Sequence, residues 1–122
     1  MNKSIAIVGI GCRFPGGADS AKSYWDFLRS AGQACTEVPR DRWDWERFYD
    51  QTPEAPGKMW VNKGHFLSGA SIYDLDTRFY GMSPREAEVL DPQQRLLLET
   101  AWETFEDAFL PIGNYRERSV GV

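Results

Sequence analysis

The 122-residue sequence contains a single histidine, two cysteines and no long uninterrupted run of apolar residues. Two cysteines alone cannot form a structural zinc site, which needs four ligands. Without an apolar run of about 20 residues, no segment is long enough to cross a bilayer as a helix. Basic residues are in the minority, and the net charge of -4 argues against a nucleic-acid-binding surface. Membrane and nucleic-acid partners are therefore not expected.

The sequence also lacks low-complexity segments and a secretory leader pattern. Four residues lead directly into a short apolar run with no small-residue cleavage site, so we expect a cytoplasmic location. In that compartment Cys12 and Cys35 are expected to be free thiols. The composition, 42% hydrophobic and 14% aromatic, is that of a globular protein.

The stretch IAIVGIGCRFPGG, residues 5–17, joins an apolar run to several glycines. Residues 5–10 are predicted to form a strand buried on both faces of a parallel or mixed sheet. A dinucleotide-binding turn would need a third glycine where Phe14 stands after Gly9 and Gly11. No lysine and hydroxyl residue follow Gly16, as a P-loop requires. A core strand followed by a tight turn is therefore favoured over a nucleotide site.

The rest of the chain contains residue patterns typical of the starts and ends of three helices. Ser20 is a predicted N-cap, and Gly32 a predicted helix end, for a helix with one apolar stripe. Ser83 begins a second helix, which must end near Leu90 because Pro92 cannot continue it. A third helix is predicted from Pro92 up to Pro111. Its predicted apolar face consists of Leu98, Ala101, Trp102, Phe105, Ala108 and Phe109.

Short strands are predicted at residues 59–67 and from residue 119 to residue 122. The overall prediction from the residues is an α/β domain in which no complete active site is visible.

Three groups of residues are candidate sites. A Cys12–His65 pair would be a nucleophile with its base, although a half-buried cysteine at a strand end is the simpler interpretation. The carboxylates between residues 41 and 50 are expected to be solvated and paired with neighbouring arginines. Trp43 and Trp45 could stack on a sugar or base, but packing beneath a loop is the commoner arrangement.

Taken together, the motifs resemble the start of a known domain. IAIVGIGCRFPGG, YWDFL, VPRDRWD, APGKMWVNKGHFL, FYGMSPREAEVLDPQQRLLLETAWETFEDA and SVGV follow one another in the order found in β-ketoacyl synthases, and most resemble the ketosynthases of modular type I polyketide synthases. The segment SPREAEVLDPQQRLLLE is the most specific of these. The resemblance extends over residues 4–122.

The resemblance implies an α/β thiolase-like layered fold, with residues 1–122 as an N-terminal fragment of the domain. It implies a decarboxylative Claisen condensation between a cysteine-bound acyl group and a malonyl-type extender. The extender is carried on the phosphopantetheine arm of an acyl carrier protein, and no cofactor binds directly. The remainder of the synthase and a homodimeric partner are the other implied partners.

The same resemblance implies that the catalytic residues lie elsewhere. No position here matches the family's TACSSS-like nucleophile motif or its two catalytic histidines, so no catalytic, cofactor-binding or metal-binding residue is assigned. Cys12 and His65 do not align with those motifs. Asp91, Gln93 and Arg95 are expected to make structural hydrogen bonds near the subunit interface and acyl channel. The chain is expected to be inactive alone; the alternative is a stand-alone interaction or complementing subunit that pairs with another synthase chain.

Overall fold

A computed structural model describes residues 4–67 and 73–115. Within these ranges the complete α-helices are α1 (Ala21–Arg29), α2 (Pro84–Val89) and α3 (Pro92–Asp107). Strands β1 (Cys35–Glu37) and β2 (Lys63–His65) form a two-stranded antiparallel sheet. Short 3-10 turns lie at Trp45–Arg47 and Ile112–Tyr115. None of the described helices has the length and apolar character needed to span a membrane.

The predicted strand at residues 5–10 is not a strand in the structure. A strand is defined by a ladder of backbone hydrogen bonds to a neighbour, and no such ladder reaches this segment from the described residues. Ile10 instead donates its amide hydrogen to the Asp107 carboxylate, at 2.9 Å. The prediction was therefore wrong for the described residues.

Helix α1 begins at the predicted cap and ends by a Schellman motif. The Ser20 hydroxyl accepts from the Ser23 amide, at 3.1 Å. At the other end, Gly32 donates to the Phe27 carbonyl and Ala31 to the Leu28 carbonyl. The left-handed residue is Ala31, with φ of 51°, rather than Gly32. The predicted helix end was therefore correct, but the residue carrying the unusual backbone conformation was not the glycine.

Helices α2 and α3 begin at the predicted residues. Ser83 accepts from the Glu86 amide, and the Glu86 carboxylate accepts in return from the Ser83 amide, at 3.2 and 2.8 Å. Asp91 caps α3 by accepting from the Gln93 amide, at 2.8 Å. Leu90 is the C-cap of α2. These side-chain caps satisfy backbone N–H groups that have no partner inside the helix.

The predicted apolar face of α3 is only partly correct. Leu98, Trp102, Phe105 and Ala108 are half-buried, whereas Ala101 is exposed and Phe109 is 92% exposed. Phe109 is excluded from the face because the helix ends first. It takes a φ of 54°, while Leu110 donates to the Phe105 carbonyl in a second Schellman motif.

The strand prediction at residues 59–67 is confirmed over a shorter length, as β2. Its partner β1 was missed, because three residues are too few to show an alternating pattern. The predicted strand at residues 119–122 lies outside the described residues.

The described residues contain a small core. The buried apolar residues among them are Cys12, Ala18, Val38 and Ala87. Many large apolar side chains are exposed, most of all in the N-terminal segment, which we define as residues 5–10. Hydrophobic burial is the main favourable contribution to folding. Large apolar side chains that stay exposed in the N-terminal segment therefore lack this stabilisation unless another surface covers them.

Candidate interaction surface

The N-terminal segment and the residues directly after it lie against one face of α3. A Cβ at Gly9 would lie 2.8 Å from the Ala108 Cβ, and a Cβ at Gly11 would lie 2.5 Å from the Thr100 carbonyl oxygen. The Thr104 hydroxyl is equally close to that position. Only glycine permits so close an approach of the backbone to a helix. The two glycines therefore serve helix packing, and the nucleotide-binding alternative, already disfavoured by the sequence, gains no support from them.

The helix face involved is a row of small residues. Thr100, Thr104 and Ala108 are spaced by four positions and therefore lie one above another on α3. The sequence-based prediction of the packing face missed Thr100 and Thr104, because it grouped only large apolar residues. A sequence feature that could have identified them is the presence of two glycines spaced by two, Gly9 and Gly11, together with a row of small residues spaced by four on one helix face.

Arg13 links the turn at residues 12–19 to α3 through hydrogen bonds. Its Nη1 donates to Glu103 Oε2 at 2.7 Å and to the Cys12 carbonyl at 3.0 Å, and its Nη2 pairs with the other Glu103 oxygen. Nη1 also lies 3.2 Å from the Asp19 carbonyl. One guanidinium thus joins the helix to both ends of the turn at residues 12–19, which is the fork-like recognition for which arginine is suited.

The electrostatics of this face follow from partial burial. The hydrogen bond to Glu103 raises the pKa of Arg13, although burial opposes the shift. Burial raises the pKa of Glu99, while the nearby Arg13 charge lowers it. The pKa of Tyr80 is also raised, first by burial and then by the Glu99 carboxylate. Each of these pKa shifts follows from burial, a hydrogen bond or the charges of neighbouring side chains.

The N-terminal segment is apolar and open to solvent. Ile5 is 95% exposed and Ile7 is 85% exposed, while Val8 and Ile10 are more than half exposed. A groove of about 210 Å³ runs beside the segment, lined by Ile7, Val8, Gly9, Thr104, Phe105, Ala108 and Leu110. We call the segment and this groove the apolar surface. Contiguous apolar surface of this kind commonly marks an interaction site.

The turn after the segment is confirmed as a turn. Phe14 and Ala18 form an isolated antiparallel bridge, and Gly16 and Gly17 both adopt positive φ. A Cβ at Gly16 would lie 2.6 Å from the Phe27 ring. Gly16 thus places the turn directly against α1.

Cys12 and His65 have different surroundings. Cys12 is 8% exposed, and its Sγ lies 3.8 Å from the Ala18 carbonyl as a weak donor. His65 lies in β2, where its register partner is Cys35. The Cys12–His65 nucleophile hypothesis gains no support from these positions, because each residue has other immediate neighbours.

The predicted structural hydrogen bonds are made by the side chains of Asp91 and Arg95, and Gln93 takes part only through its backbone amide. Asp91 caps α3, and Arg95 donates to the Leu90 carbonyl at 3.1 Å and to the Tyr73 carbonyl at 2.8 Å. Gln93 contributes its backbone amide to the cap, and the residue lines a cleft with Arg42 and His65. Asp91 and Arg95 therefore hold the start of α3 against the neighbouring chain segments.

In the charged loop at residues 40–50, Asp41, Asp44 and Glu46 are exposed as expected, but only Glu46 among the described carboxylates of this loop pairs with an arginine. Arg40 and Glu46 form an exposed ion pair at 2.6 Å, and Asp50 accepts from the Thr52 amide. That backbone hydrogen bond lowers the pKa of Asp50. Trp45 packs edge-on against Tyr49, whereas Trp43 remains half-exposed. Among the described residues, no three His, Cys, Asp or Glu side chains are arranged to hold a metal ion.

The exposed apolar surface has the character of a site for association with another polypeptide. Its apolar side chains can be covered by another polypeptide, and the backbone of the N-terminal segment is available for strand pairing.

Comparison with protein families gives an independent result. The family model described as "Beta-ketoacyl synthase, N-terminal domain" matches residues 2–122. The chain is 50% identical over 107 residues to a phenolphthiocerol/phthiocerol polyketide synthase of Mycobacterium tuberculosis, covering 88% of the chain and 7% of that protein. It is 49% identical over 119 residues to pikromycin polyketide synthase component PikAII of Streptomyces venezuelae, covering 97% of the chain and 3% of that protein.

Solved structures give a consistent result. An oxazolomycin ketosynthase domain from Streptomyces albus superposes with a TM-score of 0.76 at 44% identity, covering 83% of the chain and 17% of that structure. The ketosynthase from module 6 of the Bacillus subtilis bacillaene synthase gives a TM-score of 0.69 at 34% identity, with 83% and 16% covered. The chain thus spans only a small part of each relative.

Proposed function

The chain belongs to the β-ketoacyl synthase family, with the fold of part of a thiolase-like domain, and we propose that it supplies the N-terminal part of a polyketide synthase ketosynthase. The complete enzyme would transfer an acyl group to a cysteine and condense it with a malonyl-type extender. Carbon dioxide leaves as the new carbon–carbon bond forms. The observation that carries this proposal is the exposed N-terminal segment, whose apolar side chains need a cover that the described residues do not give.

We infer that the chain alone does not catalyse this condensation. A covalent catalyst needs a nucleophile with a base within hydrogen-bond reach. Cys12 is buried beside the Ala18 carbonyl, and His65 lies in β2. Neither residue aligns with the nucleophile or the histidines that the family resemblance implies.

The activity test uses the purified chain with an acyl-pantetheine donor and a malonyl thioester. We expect no condensation product, no carbon dioxide release and no acyl group on Cys12 or Cys35. A positive control is a complete ketosynthase domain from one of the polyketide synthase relatives. Condensation by the chain alone, above the rate without protein, would refute this inference.

A second candidate function, a complementing or interaction subunit, is favoured by the apolar surface. A strand edge with free backbone groups can recruit another strand. The test is co-expression with the rest of a ketosynthase domain, followed by size-exclusion chromatography. We expect a stable complex, weakened by Ile7→Lys but not by Val61→Lys, a half-exposed residue outside this surface. Two separately eluting proteins would exclude this function.

The remaining elements of the proposal come from the family resemblance. The proposed partners are the rest of the synthase and an acyl carrier protein, whose phosphopantetheine arm would deliver the extender. Homodimerisation of the complete domain, and a location of Asp91, Gln93 and Arg95 near its subunit interface and acyl channel, are likewise predictions. A cytoplasmic location also stays a prediction.

A further inference from the structure

A second cleft lies beside the start of α3 and shares no lining residue with the apolar surface. Its volume is about 420 Å³, and it lies between the end of β2 and the first turns of the helix. The polar residues that line it are Arg42, His65, Asp91 and Gln93. We call it the arginine cleft, because Arg42 is the lining residue whose hydrogen bonding is incomplete.

Arg42 has few partners within the described residues. Its Nη2 donates to the Leu67 carbonyl at 3.3 Å, and its guanidinium lies over the Tyr73 ring, 5.7 Å from the centroid. Its Nε is buried without a hydrogen-bond partner, and it is the one buried side-chain nitrogen or oxygen of the described residues in that state. Such unpaired buried donors are rare in folded proteins, because each lacks the hydrogen bond that water would supply.

Positive charge is in excess where two arginines contact Tyr73. Arg95 donates to the Tyr73 carbonyl at 2.8 Å, and neither Arg95 nor Arg42 forms an ion pair with a described carboxylate. Asp91 lines the cleft, but its carboxylate already accepts from a backbone amide at the start of α3. This local excess contrasts with the net charge of -4 of the whole chain. The guanidinium of Arg42 therefore lacks an anionic partner.

We propose that the arginine cleft binds the carboxylate of an aspartate or glutamate side chain from the polypeptide that completes the ketosynthase domain, an inference that rests on the proposed function. A guanidinium and a carboxylate can form two parallel hydrogen bonds. Nη1 of Arg42 has no hydrogen bond to a described residue and is not a buried unpaired atom, so it is open to such a partner. Nη2, with its one long hydrogen bond, is the second donor.

The extent of the relatives favours a polypeptide as the source of the carboxylate. The chain covers 17% and 16% of the two ketosynthase structures, so most of each domain lies outside the region that it matches. A positive site and an acidic side chain are complementary across an interface, and truncating one partner of such a pair leaves the other charge unpaired. Arg42 is therefore expected to determine how tightly the rest of the domain binds.

The first test measures the dissociation constant of the complex between the chain and the rest of a ketosynthase domain. We expect Arg42→Gln to raise it at least about tenfold. Arg42→Lys keeps the charge but not the planar fork, so its effect should be smaller. Arg47→Gln removes an exposed arginine outside the cleft and should change the constant less than about twofold. Amide exchange in α3 of the chain alone should be the same in all three variants, which excludes unfolding as the cause.

The outcomes separate this proposal from the proposed function. A complex that forms equally well with Arg42→Gln and Arg47→Gln would overturn the carboxylate site and leave the proposed function in place. Failure of the unchanged chain to form any complex would instead contradict the proposed function, and the site would then be decided by the second test.

The second test needs no partner and uses acetate as the probe. Acetate is added to the chain alone while the Nε–H signals of its arginines are followed by NMR, with sodium chloride at equal ionic strength as the control. We expect a saturable shift at Arg42 with acetate, no such shift with chloride, and no saturable shift at Arg47. Equal responses of Arg42 to acetate and chloride would overturn the proposal.

Discussion

The contact between Gly11 and α3 predicts a measurable local effect of one methyl group. The Cβ of Gly11→Ala would lie 2.5 Å from the Thr100 carbonyl oxygen and from the Thr104 hydroxyl. The carbonyl belongs to helix backbone and cannot move aside without breaking the helix. Inserting atoms into such a contact costs about 1–3 kcal/mol. We therefore expect residues 8–12 to be loosened from α3 by about 2 kcal/mol.

The thiol of Cys12, next to this contact, reports on the loosening. In a Cys35→Ser background, only Cys12 can react with a thiol reagent, and it must become exposed first. A change of about 2 kcal/mol corresponds to a rise in labelling rate of about 30-fold when opening is rapid. This local measurement does not require two-state unfolding of the whole chain.

Gly113→Ala is the matched control for this substitution. No atom lies within 4 Å of the Cβ that it would add. We expect the Cys12 labelling rate in this variant to stay within about twofold of the parent, because an exposed substitution away from special features changes stability by at most about 0.5 kcal/mol. Equal rates in Gly11→Ala and Gly113→Ala would refute the close packing of the segment on α3.

Three other predictions concern fixed points of the described fold. Arg13→Lys loses the two-pronged contact with Glu103, and we expect Cys12 labelling to rise about 5–30-fold, equivalent to about 1–2 kcal/mol. Ala31→Gly relieves the left-handed backbone at the end of α1 and should stabilise it by about 0.5–1 kcal/mol, measured by amide exchange in α1. The Ser83 amide lowers the pKa of Glu86, so its stabilisation of α2 is present at neutral pH and lost as pH falls through the lowered pKa. An NMR titration should show that lowered pKa, and Glu86→Gln should remove this pH dependence of α2 amide exchange.

The parts of the fold that depend on local chemistry could be predicted from the sequence. Ser20, Ser83 and Asp91 cap helices through residues two or three positions away, so a short stretch contains both partners of each hydrogen bond. The helix ends were predicted for the same reason. Ala31 was not identified as the left-handed residue, because Gly32 beside it satisfied the usual preference for glycine.

Long-range contacts could not be predicted in this way. Gly9 and Gly11 meet Thr104 and Thr100, which lie about ninety residues later in the chain. The strand predicted at residues 5–10 was wrong for the described residues, because an apolar pattern indicates burial but does not supply the neighbouring strand. Cys35 was not recognised as the neighbour of His65, since that pairing depends on a register between two three-residue strands.

The apolar surface also predicts how the chain behaves without a partner. Large exposed patches of this kind promote association, so we expect the isolated chain to form oligomers at micromolar concentration. Analytical ultracentrifugation would measure this. A monomer that melts sharply and cooperatively would contradict the expectation.

The most direct test of the proposed function is hydrogen exchange at the backbone amides of Ile5 and Ile7. The measurement compares the chain alone with its complex with the rest of a ketosynthase domain. We predict exchange near the unprotected rate in the chain alone and slowing of about 100-fold or more in the complex, as new strand pairing covers these amides. Strong protection of the same amides in the chain alone, unchanged in the complex, would contradict the account.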